Sequence, residues 1–531
     1  MSATQSKRWT VVLSMALVGF AATASAQQDV GTPPGPPPVA AIALAPPPAQ
    51  VDQTQEDPRR EIEELRERLE RCEAQLQAGG MIQPPANSPA GAPEAVAGYL
   101  PAAGPANFGG YAQLPPEDGE RLAGTVPIIT GPTLHVGGKA LLDNVMISQS
   151  PQNHKQLGTE DDYTGFRYMR LQFYGDLYEN IDYRVEIDLA QNLTVLSSTE
   201  PHTAFQDVWT AFHQLPVAGN IRLGYFKEPF SLEEQPGEEY LLFMERSLVN
   251  TFVPARRIGV MAYNDVADDK NATWFVGTFR EGFTNLSTVE YSNEGDYGIT
   301  CRLAELPYYD ESTNGRYLLH LGAAYEYTGA NTSSIVSSAD SKTFKAVPEA
   351  NVETPFATAV IPCNDFQLFG LEAAMIDGPW LVQSEYVSTL LSPLVGKEIY
   401  MPSAYLETTY ILTGENHNYD RGGKFVAGVT PYEPFFRVRA QDGKICQGWG
   451  AWELAARVSY IDLNNDLMGT PGNTSDTGGR LLDYTVGGTW YLTSNCSFKF
   501  NYIHSDLALA TGANKGKSVA DIFGTRFEMH F

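Results

Sequence analysis

The sequence of 531 residues contains few cysteines. The five cysteines are scattered along the chain, and no two of them form a C-x-x-C pair: Cys72, Cys301, Cys363, Cys446 and Cys496. A disulfide framework or a cysteine-ligated zinc site needs more cysteines at shorter, regular spacings. The sequence therefore argues against a disulfide-framed small domain and against a cysteine metal site.

Positive charge is also scarce. Lys and Arg number 36 against 63 Asp and Glu, which gives a formal net charge of -27. Residues 131–531 alone hold 28 basic and 49 acidic residues, a balance of -21. A nucleic-acid-binding protein needs a basic face that replaces the counterions of the phosphates. No nucleic acid is therefore expected among the partners.

Catalytic motifs are missing as well. The sequence has no G-x-S-x-G, no H-E-x-x-H and only 8 histidines. His504 and Ser505 are neighbours in an alternating segment, so their side chains are expected to point to opposite sides of a strand. We expect neither an enzyme nor a cofactor.

Long apolar runs are limited to the N-terminus. Lys7 and Arg8 precede an uncharged apolar run from Trp9 to Ala24, and small residues follow for cleavage. A bilayer-spanning helix takes about 20 residues, so residues 1–26 are predicted to be a cleaved signal peptide. No later stretch approaches 18 uncharged apolar residues, so any membrane span must be a β-strand.

Three segments of distinct composition follow. Residues 27–57 are Pro-rich and are predicted to be an extended spacer. Residues 58–78 carry apolar residues three and four apart, which predicts a self-associating coiled-coil helix, with a single amphipathic helix as the alternative. The apolar seam consists of Ile62, Leu65, Leu69, Cys72 and Leu76. Residues 79–130, rich in Pro, Gly and Ala, are predicted to be a second linker.

Residues 131–531 show the two-residue alternation of β-strands and almost no helical periodicity. In the final segment Phe527, Met529 and Phe531 alternate with charged residues, Arg526 among them. An apolar side toward lipid and a charged side toward water are typical of a membrane barrel. The pattern predicts an all-β fold, a transmembrane antiparallel β-barrel of about 16 strands, with 18 as the neighbouring option, preceded by the short coiled-coil helix.

Large aromatic residues are spread through the alternating segments rather than clustered. Trp209, Trp452 and Trp490 are examples near predicted strand ends. Aromatic girdles at the two surfaces of a membrane need this distribution. The distribution of these aromatic residues therefore supports a membrane barrel.

Six short motifs can be compared with known families. They are GYFKEPF at 224–230, FMER at 243–246, PARR at 254–257, GPW at 378–380, LTGEN at 412–416 and WEL at 452–454. In this order, over residues 130–531, they resemble the phosphate-selective porin O and P family. The resemblance implies a trimer of water-filled outer-membrane barrels, each narrowed by inward loops and lined by basic residues for anions such as phosphate.

An anion channel needs Lys and Arg on its inner wall, because an anion that loses water in a narrow passage must be stabilised by fixed positive charge. Alternation places eight basic residues on the predicted inner face: Arg170, Arg184, Arg222, Arg437, Arg439, Arg457, Lys499 and Arg526. For each of them the alternative is that a carboxylate across the strands neutralises the charge.

The connection from Lys227 to Arg257 is too long for a turn and is predicted to narrow the passage. Arg246, Arg256 and Arg257 are its candidate anion ligands. The alternative is that nearby glutamates hold these arginines in a structural network.

The sequence thus predicts an outer-membrane porin for passive diffusion of small charged solutes, with phosphate-like anions as candidates. Its expected partners are membrane lipid, small inorganic ions or phosphate, and copies of itself. The acidity of residues 131–531 departs from the family expectation, so a general or cation-preferring porin is an alternative. A second alternative is an envelope tether, in which the N-terminal region links a barrel anchor to the cell wall.

Overall fold

A computed structural model gives the structure of the chain. It describes residues 131–190, 204–267, 270–280, 297–329, 341–394, 396–439, 443–465, 478–512 and 514–531. The predicted signal peptide, spacer, coiled coil and linker all fall within residues 1–130, outside the described residues.

Twenty-one strands occur in the described residues, and most are rich in β-branched and aromatic side chains, which favour strands. They are β1 (His135–Gln149), β2 (Tyr163–Tyr178), β3 (Ile181–Asp188), β4 (Ala204–Leu215), β5 (Gly219–Lys227), β6 (Arg256–Asp265), β7 (Ala272–Arg280), β8 (Tyr297–Tyr309), β9 (Tyr317–Gly329), β10 (Ser341–Ala346), β11 (Ala357–Asp377), β12 (Trp380–Pro393), β13 (Ile399–Ile411), β14 (His417–Asp420), β15 (Phe425–Val429), β16 (Phe436–Arg439), β17 (Ile445–Gly448), β18 (Ala451–Asp462), β19 (Arg480–Thr493), β20 (Cys496–Leu509) and β21 (Gly516–His530).

Sixteen of these strands close into a barrel. Strands β1–β9, β11–β13 and β18–β21 pair in antiparallel fashion with their neighbours, and β1 pairs with both β2 and β21. At the closing seam Lys139 lies opposite His530 and Gln149 lies opposite Ala520. Closure leaves no strand edge with unpaired backbone groups, which a lipid environment requires. The predicted antiparallel barrel of 16 strands is confirmed.

The remaining elements lie in the connections. Strand β10 pairs in antiparallel fashion with the first residues of β11. The hairpins β14–β15 and β16–β17 are separate from the barrel sheet and lie between β13 and β18 in the chain. Helix α1 (Pro151–Leu157) begins after Ser150, whose hydroxyl accepts a hydrogen bond from the backbone N–H of Asn153. Three 3₁₀ helices span Glu238–Tyr240, Leu248–Thr251 and Glu311–Thr313. Of the helices in the described part of the chain, none is long and apolar enough to cross a bilayer.

The strand period of two residues separates an inner from an outer face. In β21, Ile522, Arg526 and Glu528 are buried inside the barrel, whereas Phe523 and Met529 are exposed on the outside. Exposed apolar residues of this kind, such as Leu223, Leu303 and Leu371, recur around the wall. The outer face is therefore suited to lipid.

Part of the barrel interior is filled rather than open. Phe230 and Phe252 from the β5–β6 connection pack with Phe344 of β10 and with inward wall residues such as Val387 and Leu481. The apolar core of this membrane protein thus lies inside the ring of strands. Any passage must run beside this core.

The closing seam carries a buried ion pair. Arg526 is fully buried and faces Asp143 across the β1–β21 pair. Its Nε and Nη2 atoms donate to the two carboxylate oxygens of Asp143 at 2.6 and 2.7 Å. A bidentate pair in this position fixes the register at the point where the ring closes.

We expect Arg526→Met to destabilise the barrel by about 3–5 kcal/mol, because removing one partner leaves a buried carboxylate unpaired. The measurement is the unfolding midpoint of detergent-solubilised protein by heat-dependent gel mobility. Arg480→Gln is the control, since the Arg480–Asp462 pair at 2.7 Å has its arginine 59% exposed and should contribute less than about 1 kcal/mol. Equal shifts for both variants would contradict the role assigned to the seam pair.

Candidate functional site

The connection between β5 and β6 folds into the barrel. We call residues 228–255 the inward loop. Phe230 and Phe243 in this loop are fully buried, as is Glu228. The alternation of the wall strands cannot continue here, because Ser231 has a positive φ of 70° and two short 3₁₀ helices follow. The loop is therefore a packed structure inside the lumen.

Ion pairs fix the inward loop to the wall opposite its origin. Arg457 of β18 donates to Glu233 of the loop at 3.0 Å and also contacts Glu349 and Glu407. Glu245 lies between Arg167 and Arg526, with distances of 2.8 Å to each. Burial alone would raise the pKa of the Glu245 carboxyl, but the two guanidinium groups outweigh it and hold the pKa at about 2.

A polar cavity remains between the inward loop and strands β1–β6. We call it the basic cavity, because six lysines and arginines line it against three carboxylates. The basic residues are Lys139, Arg170, Arg184, Arg222, Lys227 and Arg256, and the acidic ones are Glu186, Asp207 and Glu239.

Several of these cations are neutralised by close carboxylates. Lys139 donates to Glu238 and Glu239 at 2.6 and 2.8 Å. Arg170 pairs with Asp188, Glu186 and Glu238 at 2.9 to 3.1 Å. Arg256 pairs with Asp207 at 3.0 Å. These groups hold the cavity wall together and contribute little net charge to the passage.

Aromatic rings support Arg184 and Arg222. The guanidinium carbon of Arg222 lies 4.0 Å from the ring centre of Trp209, and that of Arg184 lies 5.7 Å from Tyr174. Within the described parts of the chain, Arg184 forms no ion pair. An aromatic ring stabilises a guanidinium group without neutralising its charge, which favours contact with an anion. This pair is the strongest candidate for contact with a passing solute.

The predicted residues of the inner wall and of the constricting connection separate into three groups. Arg170, Arg184, Arg222 and Arg256 line the basic cavity. The second group is inside the barrel but held by carboxylates: Arg246 by Glu234, Arg257 by Glu228 and Glu326, Arg457 by Glu233, Lys499 by Glu528, and Arg526 by Asp143. The third group lies on a strand that is not part of the barrel wall.

Arg437 and Arg439 form this third group. They lie on β16, in a hairpin that is separate from the barrel sheet. The prediction that they belong to the inner wall is wrong, because a short hairpin in a connection has the same two-residue alternation as a wall strand.

Trp209 is a second correction. It was counted among the aromatic residues whose distribution indicated interface girdles, but its side chain lines the basic cavity beside Arg222. The β3–β4 register shifts between Val185 and Ile187, and such a bulge changes which residues face inward. An aromatic residue near a strand end is therefore an ambiguous signal.

Lys139, Lys227 and His530 also line the cavity, although they were not predicted as site residues. Alternation along β1 places Lys139 on the same inward face as Asp143. Its position could therefore have been predicted from the sequence. Lys227 and His530 lie at the ends of β5 and β21, where alternation gives no reliable direction.

A closed antiparallel barrel with an apolar outside, an inward loop and a charged cavity defines a porin-type channel. The family model for "Phosphate-selective porin O and P" matches residues 148–531, which is more than half of the chain. The chain belongs to this family and is an outer-membrane porin.

Known proteins give the context. An uncharacterized protein of Caulobacter vibrioides is 28% identical over 378 residues, covering 69% of this chain and 68% of that protein. Porin O of Pseudomonas aeruginosa is 22% identical over 398 residues, covering 70% and 83%. The trimer form of OmpT of Vibrio cholerae and the anion-selective porin of Comamonas acidovorans each align at 12% identity with a TM-score of 0.44. They cover 76% and 75% of this chain and 100% of their own chains.

We expect Glu245→Gln to loosen the inward loop, because the substitution removes the negative charge that Arg167 and Arg526 both contact. In the wild type the pKa of Glu245 lies below its ordinary value of 4.5. Its stabilising contribution is therefore complete above about pH 4.5 and is lost as the pH falls toward 2. Current noise of single channels should increase in the variant at pH 7 and in the wild type only under acid conditions.

The control is Glu311→Gln, in a turn where Glu311 is 68% exposed beside Arg421. This variant should leave the noise unchanged. A Glu245→Gln channel as quiet as the wild type at pH 7 would show that the apolar contacts alone hold the loop.

Proposed function

We propose that this porin prefers small anions, inorganic phosphate included, and that they pass through the basic cavity. The observation that carries the proposal is the pair Arg184 and Arg222, supported by Trp209 and Tyr174. A partly dehydrated anion regains solvation from guanidinium groups at the passage, and Arg184 forms no ion pair among the described residues. Passage is passive, with no catalytic turnover.

The acidic composition is compatible with this proposal. The inward carboxylates that favoured a cation channel in the sequence have cationic or histidine partners: Glu186 and Asp188 bind Arg170, Glu528 binds Lys499, Glu453 contacts His417, and Asp182 contacts His213. A carboxylate already paired with a cation attracts a passing cation weakly. The envelope-tether alternative depends on residues 27–78, outside the described residues.

The test is the reversal potential across a planar bilayer under a salt gradient. We expect the wild type to favour chloride over potassium, and phosphate to reduce the chloride current. Arg184→Gln combined with Arg222→Gln should lower the anion-to-cation permeability ratio by about threefold or more. Arg480→Gln on the outer face is the control and should leave the ratio unchanged. Cation preference in the wild type would overturn the proposal.

We also propose that the barrel is a homo-oligomer, as a trimer, with its contact on the outside of β20 and β21. Tyr502 and His504 each lie 2.7 Å from Asp521 on this outer face. We call these three residues the outer polar patch. Phe498 lies near the start of β20. His504 is six residues further along this strand, which corresponds to about 15 Å along the membrane normal for a tilted strand. That height falls within the lipid-facing band, which is about 25 Å tall.

Ionisable side chains at this depth are unfavourable in lipid and are stabilised by a protein partner. A second copy of this chain would supply that partner. A coiled coil of residues 58–78 would act in the same direction.

His504→Leu combined with Asp521→Leu separates the two environments. If the patch faces lipid, leucines should leave the oligomer intact or strengthen it. If the patch faces a neighbouring copy, we expect the oligomer to dissociate at a temperature several degrees lower. The measurement is gel mobility of unheated and stepwise heated samples, and Thr408→Leu on the outer face of β13 is the control.

A further inference from the structure

The hairpin β16–β17 is separate from the sheet that forms the barrel wall. It belongs to the connection between β13 and β18, and its two strands pair only with each other among the described residues. We call residues 435–439 and 443–449 the outer hairpin. The same connection contributes the hairpin β14–β15, whose Phe425 and Val426 pack inside the barrel against Leu232 and Phe243.

The base of the outer hairpin lies against the outside of the barrel. The ring of Phe435 makes an edge contact with Trp490 at 4.8 Å, and its backbone N–H donates to Leu492 at 2.7 Å. The indole N–H of Trp490 donates to the carbonyl of Trp449 at 2.7 Å. Trp490 points outward, since its neighbour Tyr491 is buried inside.

Trp490 belongs to a row of outward aromatic rings. It stacks on Trp452 at 5.0 Å and on Phe498 at 6.2 Å, and Phe498 contacts Phe527 at 5.0 Å. These rings lie near the strand ends joined by the short turn at residues 494–495. Short turns mark the periplasmic side of a bacterial barrel, and aromatic rows mark the border between lipid and water. The outer hairpin therefore continues the periplasmic aromatic border.

The outer hairpin exposes large apolar side chains. Phe436 is 61% exposed, Ile445 58% and Trp449 76%. Along β16 the sequence alternates apolar and basic residues as Phe-Arg-Val-Arg, and Lys444 precedes β17. Exposed aromatic residues together with Lys and Arg are typical of segments that bind the headgroup region of a bilayer.

We propose that the outer hairpin binds the phospholipid headgroup region of the periplasmic leaflet. Continuity with Trp452 and Trp490 selects lipid over a protein partner, because these two rings lie on β18 and β19, outside the oligomer contact proposed on β20 and β21. The two hairpins of one connection then lie on opposite sides of the barrel rim. Lipid contact outside would restrain the segment whose other hairpin packs against the inward loop.

The test uses tryptophan fluorescence of the full mature chain in phosphatidylcholine vesicles. One set of vesicles carries bromine near the carbonyl end of the acyl chains, which quenches indoles at the interface. The emission of Trp449 is the difference between the wild type and Trp449→Phe. We expect this difference to fall by about half in brominated vesicles. The emission of Trp209, obtained from Trp209→Phe, should not fall, because Trp209 faces the cavity.

Trp449→Phe should conduct as the wild type does, which shows that it is folded. The variant that combines Phe436→Ser with Trp449→Ser should conduct normally. Because it binds the headgroup region less tightly, its unfolding midpoint should be lower than that of the wild type in vesicles and unchanged in detergent. Equal quenching of Trp449 and Trp209 would overturn the proposal. So would unquenched Trp449 with loss of the oligomer in the serine variant, which would assign this face to a second copy of the chain.

Discussion

The structure depends on closure of the strand ring. Lipid offers no hydrogen bonds to backbone groups, so each wall strand must be paired along both edges. The pairing of β1 with β21 satisfies the last edge, and the Arg526–Asp143 pair lies at that seam. The same arginine donates to the backbone of Met244 and to Glu245. Closure of the wall and placement of the inward loop therefore share one side chain.

This arrangement explains why the passage lies to one side. Apolar residues from the inward loop and from residues 341–361 fill the lumen beside β11–β13 and β18–β21. A polar cavity lies on the side lined by β1–β6. Aromatic rings at Trp209 and Phe226 stiffen that side without adding negative charge. Under the proposed function the core thus serves both stability and selectivity, since it would confine solutes to the arginine-lined wall.

The sequence allowed the barrel to be predicted, because alternation is a local property of each strand and closure follows from membrane depth. Arg170, Arg184 and Arg222 were predicted inward for the same reason. Partners could not be predicted. Arg457 and Glu233 are 224 positions apart, and neither residue type signals the other. Local alternation also could not distinguish β16 from a wall strand, so Arg437 and Arg439 were wrongly assigned to the inner wall.

For a related reason, the net charge of a chain is a poor guide to whether its channel prefers anions or cations. Selectivity depends on charges that remain available at the passage, whereas composition counts every carboxylate equally. Here Glu233, Glu245 and Glu238 are each bound to arginine or lysine inside the barrel. Arg184 instead forms no ion pair among the described residues and lies 5.7 Å from the ring centre of Tyr174, a neutral ring that stabilises the cation without cancelling its charge. An acidic chain can therefore present a positive passage when its arginines are held by rings and its carboxylates by cations.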